Sequence, residues 1–122
     1  MSENSNNKPV YDLEERTYFY ARDVRLFIKT LPYSIANAED SKQLVKSSGS
    51  VGANYREANE ALSKKDFLMR MKISRKEAKE SAYWLRLINE TNVLKNSNEG
   101  IRLQNEAIQL KKIFSAIIEK SK

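Results

Sequence analysis

The sequence predicts an all-α protein, an antiparallel up-and-down four-helix bundle. Three observations support this fold class. Turn-forming residues are rare, with three Gly and two Pro in 122 residues. Residues that favour helices dominate the composition. Apolar residues recur at alternating spacings of three and four in four segments joined by short connections. We expect one bundle domain over residues 11–122, preceded by a disordered polar tail over residues 1–10.

The first predicted helix begins after Asp12, whose side chain is suited to cap it, and runs to about Thr30. Pro32 ends it, because proline disfavours helical geometry in the residue before it and donates no backbone hydrogen bond. Its core-facing residues are predicted to be Leu13, Thr17, Tyr20, Val24, Phe27 and Leu31.

A second helix is predicted to start between Ile35 and Asp40. Its core-facing residues are expected to be Leu44, Ser48, Val51, Tyr55, Ala58 and Leu62. A surface of very small side chains lies on the same helix, formed by Ser47, Ser48, Gly49, Ser50, Gly52 and Ala53. Such a surface permits the close approach of another backbone. The alternative is a weak, frayed helix, because each glycine costs about 1 kcal/mol relative to alanine.

Ser63, with Asp66 three residues later, predicts the cap of a third helix from Lys64 to about Thr91. Its bundle-facing residues are Phe67, Met71, Ser74, Ala78, Ser81, Leu85 and Ile88. After a turn within residues 92–100, a fourth helix is predicted to begin at about Ser97 or Ile101 and to end near Glu119. Its core-facing residues are Leu103, Ala107, Leu110, Phe114 and Ile117.

The third helix has a second apolar arc beside its bundle-facing side. We call this the second arc; it comprises Met69, Ile73, Trp84 and Leu87. The two apolar surfaces together span about 200°, roughly twice what one core-facing stripe requires. Either the fourth helix or a second copy of the protein must cover the second arc. We favour the second copy, and therefore a homo-oligomer.

A basic stripe lies opposite the bundle-facing side of the same helix. It comprises Lys65, Lys72, Lys76, Lys79, Tyr83 and Arg86. From Lys64 to Arg86 there are eight Lys or Arg residues and three acids, so most of the chain's net charge of +6 lies on this one helix. Lysines beside an aromatic ring are suited to a phosphate backbone and a stacked base. The alternative is an ordinary solvated helix face.

Composition argues against most kinds of catalytic site. The chain has no cysteine and no histidine, which excludes thiolate chemistry, the usual neutral-pH general base and the commonest metal ligand. Two Glu-x-x-Glu pairs, Glu57 with Glu60 and Glu77 with Glu80, leave open a magnesium-dependent nucleotide hydrolase. We predict no catalytic residue, metal or cofactor. No segment is apolar enough to span a membrane or to serve as a signal peptide, so we expect a cytoplasmic protein.

Three motifs carry a family resemblance. They are SSGSVGANYREA at 47–58, SKKDF at 63–67 and KISRKEAKESAYWLRL at 72–87. With this order and spacing, the chain closely resembles the four-helix bundle proteins encoded in intervening sequences of bacterial 23S rRNA genes. The biochemical role of those proteins is not established. The resemblance implies a pentameric ring. It also extends to the accessory variability determinant of diversity-generating retroelements, a basic ring that partners a reverse transcriptase and nucleic acid. One common family form has IAEG where this chain has YREA (55–58).

The same resemblance singles out Asn54, Glu57 and Glu80, which match positions where the family keeps polar groups on otherwise apolar helices. We expect them to form a hydrogen-bond network between the second and third helices, with Arg56 or Arg75 as a charged partner if either glutamate is buried. The sequence therefore predicts a non-enzymatic homo-oligomer that contacts RNA or DNA, with a role as an adaptor for another protein as part of the same hypothesis. The competing hypothesis is a purely structural or protein-interaction oligomer.

Overall fold

A computed structural model of the protein describes residues 12–122, which form four α-helices and no strand. The helices are α1 (Leu13–Ile28), α2 (Ile35–Asn59), α3 (Lys64–Thr91) and α4 (Ser97–Ser121). The predicted all-α four-helix bundle is confirmed. The tail predicted over residues 1–10 lies outside the described residues.

Side-chain caps explain where three of the helices begin. Asp12, Ser34 and Ser63 each accept a hydrogen bond from the backbone N–H three residues later, at 2.9, 2.9 and 3.0 Å. Each bond satisfies one of the backbone donors that the first helical turn leaves unpaired. The caps at Asp12 and Ser63 are as predicted. Ser34 fixes the start of α2, which the sequence pattern had placed only within a range of six residues.

Each helix packs against its neighbours in the chain, which gives the up-and-down arrangement. The contacts of α3 with α2 and with α4 are the most extensive, whereas α1 contacts α2 less and α4 least. The core side of α1 consists of Thr17, Tyr20, Val24 and Phe27, all buried as predicted. A bidentate ion pair holds α1 to α4, because the Arg16 guanidinium donates to both carboxylate oxygens of Glu106 at 2.8 and 2.9 Å.

One predicted core position, Leu62, is wrong, and a second, Ile117, packs against the core without being fully buried. Leu62 is fully exposed, because α2 ends at Asn59 and the connection that follows turns away from the core. On α4 the buried residue after Phe114 is Ile118, whereas Ile117 is only half-buried. A step of four residues keeps a side chain close to the same helix face, so the core pattern continues from Phe114 to Ile118.

The small-residue surface of α2 brings two neighbouring helices close to its backbone. Ser47, Ser48 and Gly52 are buried. A Cβ atom on Gly52 would lie 2.7 Å from Oγ1 and 3.1 Å from Cβ of Thr17 on α1. On the other side, Ser47 meets α3. The helix is continuous through both glycines, so the predicted packing role is confirmed and the frayed alternative is not.

One end of the bundle is closed by an amide pair. Asn37 in the first turn of α2 donates from Nδ2 to Oδ1 of Asn92 at 2.8 Å, and Asn92 Nδ2 returns a bond to Asn37 Oδ1 at 2.9 Å. Because Asn92 is also the C-cap of α3, this pair joins the start of α2 to the end of α3.

Within residues 12–122, no helix is long and apolar enough to cross a lipid bilayer.

The two glycines of α2 give a matched test of this packing. We expect Gly52→Ala to lower the free energy of unfolding by about 1 kcal/mol, because overpacking against the anchored Thr17 outweighs the gain in helix propensity. Gly49→Ala is the control. Its added methyl would meet the end of the flexible Arg25 side chain at 3.2 Å, so it should raise the same free energy by up to about 1 kcal/mol. Urea denaturation measures both. Equal effects would contradict the close α1–α2 contact.

Candidate nucleic-acid interface

The basic stripe of α3 is exposed along its whole length. Lys65, Lys72, Lys76, Lys79, Tyr83 and Arg86 all lie on the solvent side of the helix. From the first to the last, the stripe covers about 32 Å at 1.5 Å per residue. No ion pair within residues 12–122 involves any of the four lysines, whereas Arg86 contacts Glu90 at 3.0 Å. The four ammonium groups are therefore available to an anionic partner.

Hydrogen bonds on the opposite side of α3 hold the stripe towards solvent. Ser81 Oγ donates to Ser47 Oγ at 2.9 Å, and Ser74 Oγ donates to the carbonyl oxygen of Val51 at 2.9 Å. Both serines of α3 are completely buried. Because these bonds join α3 to α2 at two points along their length, rotation of α3 would break buried hydrogen bonds. The orientation of the basic stripe follows from this register.

The second arc lies along the α2 side of α3. Met69 is 46% exposed, while Ile73, Trp84 and Leu87 are half-buried. Trp84 packs against the core of its own bundle. The fourth helix lies on the other side of α3, where Asn89 donates to the Gly100 carbonyl oxygen at 3.0 Å. At 100° per residue, the second arc lies on the opposite side of α3 from Asn89 and nearer to Arg70, Ser74 and Ser81, which bond to α2. This placement argues against cover by α4. The role of the second arc as an oligomer interface stays a prediction.

The predicted polar network has different members in the structure. Asn54 does join α2 to α3, because its Oδ1 accepts a bond from the Arg70 guanidinium at 3.1 Å. Its Nδ2 donates to the carbonyl oxygen and to the hydroxyl of Ser50, at 3.0 and 2.9 Å. Glu57 and Glu80 are exposed, and neither is hydrogen-bonded to Asn54. Their side chains lie on the outer faces of the two helices, so neither needs the buried partner proposed from the sequence.

A groove opens on the outer face of α3, lined by Lys76, Lys79, Glu80, Tyr83 and Trp84, with a volume of about 470 Å³. The rings of Tyr83 and Trp84 meet edge to face, with centroids 4.9 Å apart and an interplanar angle of 76°.

Partial burial, followed by the Glu80 charge, raises the pKa of the neighbouring Glu77, and the charges of Lys76 and Lys46 oppose that increase. Lys46 therefore adds a positive charge from α2 near this part of the stripe.

Comparison with known proteins supports the fold and identifies the family. The profile described as 23S rRNA-intervening sequence protein matches residues 12–116. The chain belongs to this family. A crystal structure from Bacteroides thetaiotaomicron VPI-5482, of a protein with unknown function from the S23 ribosomal protein family, is 29% identical to this chain. The TM-score is 0.76, and the match covers 88% of this chain and 98% of that one. No curated protein matches.

Family membership fits the resemblance carried by the three sequence motifs, and it leaves the further similarity to the retroelement determinant as a prediction. The structure also bears on the magnesium-dependent hydrolase considered for this chain. Within residues 12–122, no three His, Cys, Asp or Glu side chains lie close enough together to hold a metal ion. Glu60 is the C-cap of α2, so the first Glu-x-x-Glu pair does not form a continuous helical face.

The phenol of Tyr20 is a further group that can gain or lose a proton, but it is buried away from solvent. The phenol of Tyr20 is 2% exposed, and burial raises its pKa strongly, against the opposing effect of Ser81 beside it. A neutral, enclosed phenol belongs to the packed centre of the bundle and is not suited to exchange protons with a substrate. The groups of this protein that can reach a partner are those on its outer faces, above all the basic stripe.

Proposed function

We propose that this protein is a non-enzymatic homo-oligomeric bundle that binds RNA or DNA through the basic stripe of α3. The observation that supports the proposal most directly is the row of four exposed lysines without ion pairs among the described residues. Neutralising phosphates with such groups releases condensed counterions, which is the main source of affinity in sequence-independent binding.

The distribution of charge favours a binding surface over a solvated face. Solvated helix faces commonly alternate acids and bases four residues apart, so that the charges compensate. On this stripe Lys65, Lys72, Lys76 and Lys79 lie at successive spacings of seven, four and three, and only Lys76 has an acid four residues away. The lysines therefore repel one another along one face. A polyanion lying along α3 would relieve that repulsion, and Tyr83 would offer it a ring for stacking.

Self-association would extend this surface. Met69, which is 46% exposed, and the half-buried Ile73 form the part of the second arc where we place the interface, and a second copy is the partner that the family resemblance implies, in a ring of five. Trp84 lies eleven residues further along α3, so contact at Met69 and Ile73 leaves the groove beside Trp84 open. In a closed ring every subunit presents the same stripe, so one long nucleic acid would contact several stripes and gain avidity. A ring of this kind would also suit an adaptor that joins a nucleic acid to another protein.

A charge-reversal variant tests nucleic-acid binding. We expect Lys72→Glu/Lys76→Glu/Lys79→Glu to lose most of its affinity for single-stranded RNA at low salt, and the plot of log affinity against log salt to become shallower by about two, since each lost phosphate contact changes the single-strand slope by about 0.7. Fluorescence anisotropy measures both quantities in a salt titration with the full chain.

The matched control moves the same charge change to another face. Lys111, Lys112 and Lys120 are exposed on α4, so Lys111→Glu/Lys112→Glu/Lys120→Glu has the same net charge as the stripe variant. It should keep a larger share of the affinity and a steeper salt slope. Equal losses in the two variants, or no RNA binding by the unaltered protein at low salt, would contradict the proposal. A stable oligomer without nucleic acid would then favour the purely structural alternative.

A polar substitution in the second arc tests self-association. We expect Met69→Glu/Ile73→Glu to dissociate the oligomer, because it would place charges in an apolar interface. Leu26→Glu is the control, since Leu26 is a 54% exposed apolar residue on α1, outside this face. Light scattering gives the molar mass, and circular dichroism shows whether each variant is folded. A monomeric unaltered protein, or a folded Met69/Ile73 variant of unchanged mass, would contradict the assignment of the interface.

A further inference from the structure

The groove on the outer face of α3 combines groups that a plain phosphate-binding surface does not need. Two lysines, Lys76 and Lys79, line it together with a carboxylate, Glu80, and two aromatic rings, Tyr83 and Trp84. This inference rests on the proposed function. We propose that the groove is a base-binding subsite for a guanine in single-stranded nucleic acid, stacked on Tyr83 and held at its Watson–Crick edge by Glu80.

The position of Glu80 is the first argument. Its exposed carboxylate lies at the edge of the basic stripe, in the groove that Lys76 and Lys79 also line. It forms no ion pair with Lys76, four residues earlier, or with any other residue in 12–122. A free carboxylate repels a phosphate, so the backbone of a bound strand would keep to the lysines. A carboxylate attracts the hydrogen-bond donors of a nucleotide, which lie on the base and, in RNA, on the ribose 2′-hydroxyl. The aromatic rings beside Glu80 favour the base.

The choice of guanine follows from hydrogen-bond chemistry. An ionised carboxylate offers two acceptor oxygens side by side and no donor. Guanine presents two adjacent donors on its Watson–Crick edge, N1–H and the N2 amino group, and so matches both oxygens. Adenine and cytosine each place an amino donor beside a ring nitrogen that accepts, and uracil places its one donor between two carbonyl oxygens. Only guanine pairs with the carboxylate without setting an acceptor against an acceptor.

The aromatic pair explains how the base would be held, and why the strand must be single. Tyr83 is 57% exposed, and its ring is supported by an edge-to-face contact with Trp84, which is fixed by packing on the core. A base can stack on such a supported ring. In a duplex the bases are already stacked and their Watson–Crick edges are occupied. Unpaired nucleotides leave both the ring face and the edge open to protein contacts.

Four RNA pentamers test the subsite: UUGUU, UUAUU, UUCUU and UUUUU. Trp84 is the only tryptophan of the chain, so its fluorescence reports on the groove directly. At low salt we expect this chain to bind UUGUU about tenfold more tightly than the other three, the discrimination typical of one two-hydrogen-bond base contact. We also expect UUGUU to produce the largest change in Trp84 fluorescence.

Two neighbouring glutamates supply the variant and its control. Glu80→Gln replaces one acceptor oxygen with a donor, so the preference for UUGUU should disappear while UUUUU binds at least as well as before. Glu77→Gln removes the same charge three residues away and should keep the preference. Tyr83→Phe should retain the stacking contribution and Tyr83→Ala should lose it. Because Glu80 and Tyr83 are exposed, these changes leave the core intact.

The possible failures are distinguishable. Equal affinities for all four pentamers, with binding still dependent on salt, would overturn the guanine subsite and leave the proposed nucleic-acid function in place. A guanine preference that survives Glu80→Gln, or that is lost equally in Glu77→Gln, would overturn the role given to Glu80. No binding of any pentamer by the unaltered protein at low salt would overturn both proposals.

Discussion

The contact between α2 and α3 is the constraint on which the rest of the structure depends. Buried hydrogen bonds from Ser81 to Ser47 and from Ser74 to the Val51 carbonyl fix the rotation of one helix against the other. These short bonds are possible because the side chains at the contact are small on both helices. A larger residue at Ser47 of α2, or at Ser74 or Ser81 of α3, would force the two backbones apart. Every outer surface of α3 takes its direction from this register, including the basic stripe, the groove and the second arc.

The same contact separates the polar groups that stabilise the bundle from those that can bind a partner. The buried hydroxyl groups of Ser74 and Ser81 are short and donate to acceptors on α2, so each contributes about 1 kcal/mol and carries no net charge. The charged side chains of α3 are long and lie outside, where no compensating partner occupies the lysines. A helix that is neutral inside and strongly basic outside can bind an anionic partner without altering its core.

The fold was predictable from the sequence because helix faces follow a strict period. The caps at Asp12 and Ser63 and the buried faces of α1 and α3 needed no tertiary information. The periodicity of apolar residues could not show on which side of α3 the helix α4 lies. Left-turning and right-turning four-helix bundles bury the same residues, so their sequence patterns are the same. That choice decides what covers the second arc. Helix ends were also uncertain, and the misassignment of Leu62 came from extending the period of α2 beyond Asn59.

The residues of the candidate site were predictable where only their exposure matters, as for Lys72, Lys76 and Lys79. They were not predictable where a long side chain contacts a residue on another helix. Asn54 was selected from the family resemblance, but its hydrogen-bond partner is Arg70. The long Arg70 side chain crosses the interface between the two helices, and the sequence pattern identifies it only as a charged residue. Glu80 was assigned to a buried network and lies instead in the open groove. A carboxylate that neither stabilises the interior nor pairs with the adjacent lysines has no structural role within the described residues. In the guanine subsite that we propose, the role of this carboxylate is its contact with the base of a bound strand.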